Sequence, residues 1–223
     1  DLTCEASVSI VELKDALAMS EDLAGDMDIR LGLKGKPDNP EIMLHMDYGG
    51  GAIAGLKVDS ADLDAVFIDR VLKIDNADFI SDSGTVSARG WFDLKGVFPD
   101  GIFEGNMEPD AVSYSLSIKA QGLDLERLPL NDVALKGKLN TDIDISGTGI
   151  STEMMSSRIL AGISCEKLEF DHNRHVMDIS AKARAEVENS VARIDILEAC
   201  SGNNTLEARG TLDLSSKEIL ARI

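Results

Sequence analysis

Few residues in this chain have types and spacings that could do chemistry. His172 and His175 offer two metal ligands, but Asp171 to Arg174 reads as a hairpin turn and no third ligand stands beside them. Gly49-Gly50-Gly51-Ala52-Ile53-Ala54 spells the G-x-G-x-x-A string of a dinucleotide fingerprint. That fingerprint must open a helix, whereas Ala52 to Asp59 alternates like a strand, so a glycine-rich β turn is expected. Asp142 and Asp144 share the polar side of an alternating run, and among forty Asp and Glu such pairs carry little information. With His45, His172 and His175 as the three histidines, no Ser/His/Asp or Cys/His arrangement stands out. Cys4, Cys165 and Cys200 are odd in number and lack Cys-x-x-Cys spacing, so neither a zinc site nor a disulfide framework is expected; they read as core or surface thiols. Asn203-Asn204-Thr205, formally a glycosylation sequon, reads as a turn. The expectation is a protein without catalytic residues, metal or cofactor.

Composition narrows the class further. The chain has 223 residues with 22 Lys and Arg against 40 Asp and Glu, a net charge of −18. Such a chain cannot replace the counterions of a phosphate backbone, which argues against nucleic acid as a partner. Aromatic residues make up 4% of the chain, so its apolar surfaces must be aliphatic. No run approaches the roughly 18 to 20 apolar residues of a membrane-spanning helix. Asp1 follows no leader-like segment and reads as the start of an excised or mature fragment.

The elements that hold these residues are strands. In Met177 to Val187 every odd position is apolar and every even one polar, a segregation with period two that a helix cannot produce. The same alternation predicts strands at Met27 to Leu33, Ile42 to Met46, Ala52 to Val58, Thr85 to Lys95, Ala111 to Ala120, Leu139 to Ile145, Ala192 to Ile196 and Leu206 to Leu214. Turns are expected at Lys36 to Pro40, Gly49 to Gly51, Asp82 to Gly84, Pro99 to Gly101 and Ser201 to Asn204, where Gly, Asn, Asp and Pro gather. Two short helices are expected, at Ile10 to Met19 and at Ser151 to Leu160.

Self-comparison then shows an internal repeat. Lys73-Ile74-Asp75, Thr85, Ala88-Arg89-Gly90 and Asp93-Leu94 recur 120 positions later as Arg193-Ile194-Asp195, Thr205, Ala208-Arg209-Gly210 and Asp213-Leu214. Leu13, Leu23, Gly25, Met27, Leu31, Leu33 and Gly35 recur after 112 positions as Leu125, Leu135, Gly137, Leu139, Ile143, Ile145 and Gly147. The difference of eight is attributed to a helical connection, Thr148 to Leu160, replacing the turn Lys36 to Pro40. Residues 1–223 thus form one continuous unit, copy one over about 6–117 and copy two over about 118–223, with no linker between them. About fifteen strands at 4.7 to 4.9 Å spacing would give a body on the order of 70 Å long. Its apolar face must be covered by a second sheet, by curling, or by a ligand.

Gly122-Leu123-Asp124-Leu125, the run Leu135 to Gly149, and Val86 to Leu94 together resemble the repeats of the bacterial AsmA/TamB superfamily. The resemblance implies an all-β fold: an elongated repeating sheet curled into a taco-like hydrophobic groove, with one or two short helices. It implies a periplasmic segment of a protein anchored in the inner membrane, its groove carrying phospholipid acyl chains between the two membranes. It also implies possible contact with outer-membrane assembly proteins through regions outside this chain. The candidate groove residues are Met27, Ile29, Leu31, Leu33, Val86, Ala88, Phe92, Leu94, Leu139, Ile143, Ile145, Ala208, Leu212 and Leu214. The competing expectation is a lipid-free β-solenoid or sandwich, a scaffold for outer-membrane protein assembly whose interior is closed and dry.

Overall fold

A computed structural model of the chain describes residues 2–10, 23–36, 39–53, 56–102, 107–127, 135–151, 153–170, 173–214 and 219–222. Among them are thirteen strands: β1 (Leu2–Ile10), β2 (Leu23–Lys36), β3 (Asn39–Ile53), β4 (Leu56–Ile68), β5 (Val71–Ser81), β6 (Gly84–Asp93), β7 (Ser113–Asp124), β8 (Leu135–Thr148), β9 (Ser156–Phe170), β10 (Asn173–Glu188), β11 (Val191–Ser201), β12 (Asn204–Asp213) and β13 (Ile219–Arg222). They form a single antiparallel sheet in strict chain order, an all-β meander. One 3-10 turn, Pro109–Ala111, is the only helical element among the described residues.

The two copies are visible in the strand bounds. β5 and β11 start and end 120 positions apart, as do β6 and β12, and β2 and β8 lie 112 apart at both ends. The hairpins that enter β5 and β11 turn through Asp69-Arg70 and Asn189-Ser190, all four at positive φ, the twist a two-residue hairpin needs between right-handed strands. Each hairpin then receives the next strand end: Leu94 N–H donates to the Arg70 carbonyl and Leu214 N–H to that of Ser190, both at 2.8 Å. The pairing of β5 with β6 slips between Ile74 and Ala77, and that of β11 with β12 between Ile194 and Leu197.

The eight-residue difference between the copies has two sources, which corrects the attribution above. Between β8 and β9 the chain spends seven residues where β2 and β3 are joined by two, and β10 is sixteen residues long against thirteen for β4. The extra β10 residues are absorbed near its start, where pairing with β9 shifts register between Asn173 and Ile179. The connection is not helical. Ser151 accepts from the amides of Met154 and Met155, closing one turn, and β9 begins at Ser156. Alternation wins there because Ser157, Ile159, Ala161, Ile163 and Cys165 pair with Gly147, Ile145, Ile143, Thr141 and Leu139 of β8, whereas a helix would leave that ladder unmade. Of the other expected helix, Ile10 closes β1 and residues 11–19 lie outside the described residues. The expected strand Ala52 to Val58 straddles two strands, since β3 ends at Ile53 and β4 begins at Leu56. Gly49 to Gly51 lie inside β3, with Gly50 at φ +47° where the pairing with β2 slips, and a strand follows rather than a helix.

The sheet is open. Every substantial contact between elements joins neighbours in sequence, and β1 and β13 form its two edges, so no second layer of strands packs on it among the described residues. Neither the curled taco nor the sandwich describes this architecture: thirteen strands give a single open, uncurled sheet on the order of 60 Å across. Buried apolar side chains gather in three clusters near strand ends, with Ala65, Ala120 and Val187 buried singly elsewhere. Tyr48 and Val58 gather Ile10, Met27, Ala61 and Phe79; Leu125, Cys165 and Leu168 gather Leu139, Met177 and Ile179. Val97, Val112 and Tyr114 gather Phe92, Leu94, Phe98 and Ile145.

Candidate functional site

Antiparallel register turns the alternation of single strands into transverse rows, because directly paired residues point to the same face. The central row runs Val8, Ile29, Met46, Leu63, Ala77, Ala88, Ile118, Ile143, Ala161, Ala183, Leu197 and Ala208, one residue from each of twelve strands and every one apolar. The row beside it runs from Ala6 through Leu31, Leu44, Ala65, Ile74, Gly90, Leu116, Ile145, Ile159, Ala185, Ile194 and Gly210 to Ala221. A one-residue bulge would swap faces downstream of it, yet the slips in β4, β5, β10 and β11 leave both rows apolar. The face stays open to solvent: Leu31 is 41% exposed, Ile163 42% and Leu206 47%. A continuous apolar surface of this extent on a protein marks a binding surface.

Twelve of the fourteen candidate groove residues lie on strands and on this face. Leu94 and Leu214 sit one residue beyond β6 and β12, where their amides lock the hairpins described above. Met27 and Leu139 are drawn into the end clusters, and Phe92, Leu94 and Ile145 lie under the connection from β6 to β7. Sequence reasoning missed the middle of the face, including Leu44, Met46, Leu63, Ile74, Ile118, Ile159 and Ile163. Ile74 stood in a repeated phrase and was still left out, while the others were legible as alternation in β3, β4, β7 and β9, outside those phrases.

Among the described residues, the β6–β7 connection folds over part of the apolar face, as Leu125 does beyond the end of β7. Val97 and Val112 are buried against Tyr114, whose ring lies 6.3 Å from that of Phe92 and whose hydroxyl shares a 2.5 Å hydrogen bond with Ser157. Arg70 holds one arm by donating to the carbonyls of Phe98 and Pro99 at 2.6 and 2.9 Å. Asp110 holds the other by accepting from the Ile150 and Ser151 amides at 3.2 and 2.8 Å. Those bonds, the Ser151 amide foremost, pull the Asp110 carboxyl below its ordinary pKa.

The opposite face carries the charge. There Asp28, Asp47, Asp62 and Asp78 stand directly opposite one another across β2 to β5, an arrangement of like charges that destabilises a sheet. Neighbouring donors offset it. Asn76 donates to Asp62 and Asp78, both at 3.0 Å, and the His45 ring meets Asp64 through Nδ1 at 2.7 Å and Asp47 through Nε2 at 2.8 Å. Ligand atoms of His45, Asp47 and Asp62 lie within 4.8 Å of one another, close enough to share a cation. With both ring nitrogens bonded to carboxylates, the arrangement is accounted for by an imidazolium neutralising the acidic column. The half-exposed Trp91, and shallow depressions over Gly32 and Gly162, also lie on this polar side, not on the apolar one. Cys165 is buried, which pushes its thiol pKa up, while Cys4 and Cys200 are exposed and free. His172 lies outside the described residues, as does the side chain of His175.

The two bonds to Asp64 and Asp47, in that order, raise the pKa of His45 above its ordinary 6.5. A raised folded-state value means that the bridge contributes its full stability below the unfolded value and loses it as pH rises through the folded one. Urea midpoints should therefore fall between pH 6 and pH 9 in the native protein, and fall less in His45→Gln. A His45 ring that titrates at or below 6.5 by NMR would contradict this account.

No family model matches the chain, and neither does any curated protein or solved structure.

Proposed function

We propose that the apolar face carries phospholipid acyl chains, and that the chain is a periplasmic segment of a bacterial envelope protein that conducts lipid between the inner and outer membranes. The observation that supports this reading is the pair of apolar rows that cross the sheet, on a face exposed at Val8, Leu31, Ile163 and Leu206 and left uncovered outside the end clusters and the β6–β7 connection. An acyl chain laid along a row would leave water at roughly 0.8 kcal/mol per methylene. Because the rows repeat similar weak contacts from strand to strand, no single position would hold a lipid tightly, which suits sliding better than storage. The charge of −18 disfavours lying flat on an anionic bilayer, so contact through an end of the sheet is the better geometry for exchange. The lipid-free scaffold for outer-membrane protein assembly is the second reading; it draws on the edges at β1 and β13, to which a further strand could add.

Native mass spectrometry of the detergent-free protein, after incubation with phosphatidylethanolamine and phosphatidylglycerol vesicles, tests the proposal. Phospholipid adducts are expected on the native chain, with occupancy reduced about tenfold in Leu31→Asp, a loss of about 1.4 kcal/mol. A bare spectrum would favour the scaffold.

A further inference from the structure

We infer that in the absence of lipid two copies of this chain close face to face through their apolar surfaces. The inference rests on the exposure of that face and not on the lipid reading. No described element is left to cover it: the 94–112 connection shields one end of the Phe92, Tyr114 and Ile145 region, and the remaining elements contact their sequence neighbours. Four residues per strand across twelve strands, each claiming about 4.8 by 6.8 Å, amount to an apolar surface on the order of 1,500 Å². A stable dimer needs about 800 Å² from each partner. An open sheet with one apolar and one charged side is half of a β-sandwich, and a second copy supplies the other half while keeping both charged faces outward.

A two-fold axis along the strand direction at mid-sheet lays β3–β5 of one copy over β9–β11 of the other. It sets the bulky Leu63 of β4 over the small Ala183 of β10 in both halves at once, while Met46 of β3 meets Leu197 of β11.

Sedimentation equilibrium on the full chain, stripped of lipid by unfolding and refolding, is the test. A dimer mass is expected, with Leu31→Lys and Ala183→Glu each weakening dimerisation on the order of a hundredfold, because the two-fold axis applies each change twice. Trp91→Lys, on the opposite face, should leave the dimer intact. Circular dichroism establishes that the variants fold; should Ala183→Glu fail, Leu31→Lys at an exposed position carries the test. A monomer at every concentration overturns the inference, as does a dimer that survives Leu31→Lys yet is lost in Trp91→Lys. Phospholipid adducts on a chain that stays monomeric without lipid would leave the proposed function standing and refute the dimer. A dimer that takes up no lipid would do the reverse.

Discussion

Val58→Asp is expected to unfold the first copy, while Ile143→Asp is expected to leave the sheet standing. Val58 is 0% exposed and packs with Tyr48 at the strand-end cluster, where a carboxylate would find neither water nor a partner. An unpaired buried charge costs about 4 kcal/mol, a large share of the roughly 5 to 15 kcal/mol that holds a domain together. Ile143 is half-buried in the central row of the open face, outside the three buried clusters, so an aspartate there keeps much of its hydration. Its expected cost is about 1 kcal/mol, the scale of strand preference. Leu94→Asp belongs with Val58, since Leu94 packs beneath Val97 and Val112. Urea titrations of the three variants decide the matter. Equal losses at Val58 and Ile143 would mean that the apolar face is closed, which would sink both the open-face fold and the lipid reading built on it.

Gly90→Val is expected to cost about 3 kcal/mol through overpacking. A Cβ at this position would stand 2.2 Å from the Ser115 carbonyl oxygen and 2.9 Å from the Leu116 Cα, both backbone atoms that cannot swing aside. The clash falls on β7, where Gly90 faces Leu116 in an unbroken antiparallel pairing. Gly122→Ala is the control for substitution without a clash, because nothing lies within 4 Å of a Cβ there; its φ of +62° leaves only conformational strain. If the two substitutions shift the urea midpoint equally, the close approach at Gly90 is not what constrains that position.

Much of the architecture was legible because a strand records its two faces in sequence. The run Met177 to Val187 announces β10 without reference to any other residue, and the phrase around Ala88-Arg89-Gly90 announces β6 and, 120 positions later, β12. β1 and most of β4 were passed over although Leu2 to Ile10 and Ala61 to Ala65 alternate without a break; in β5 the slips opposite Asp64 and Ala65 and between Ile74 and Ala77 do break the strict period of two. The segment Ser151 to Leu160 misled for the opposite reason. A serine ahead of Glu153, Met154 and Met155 imitates a helix start, and only the ladder offered by β8 shows that the turn they form gives way to a strand at Ser156.

By itself, then, the sequence determined the all-β class, the acidic polar face, the aliphatic character of the other face and the order of the repeats, since each is a property of neighbouring residues or of spacing along the chain. Tertiary structure decided what lies far apart in sequence. Register set Asp28, Asp47, Asp62 and Asp78 in one column with His45 beside them, joined single apolar positions into rows across the sheet, and left those rows open. Alternation states that a strand has an apolar side, but whether that side meets another layer depends on sheet curvature and on contacts between distant elements, which no local pattern encodes.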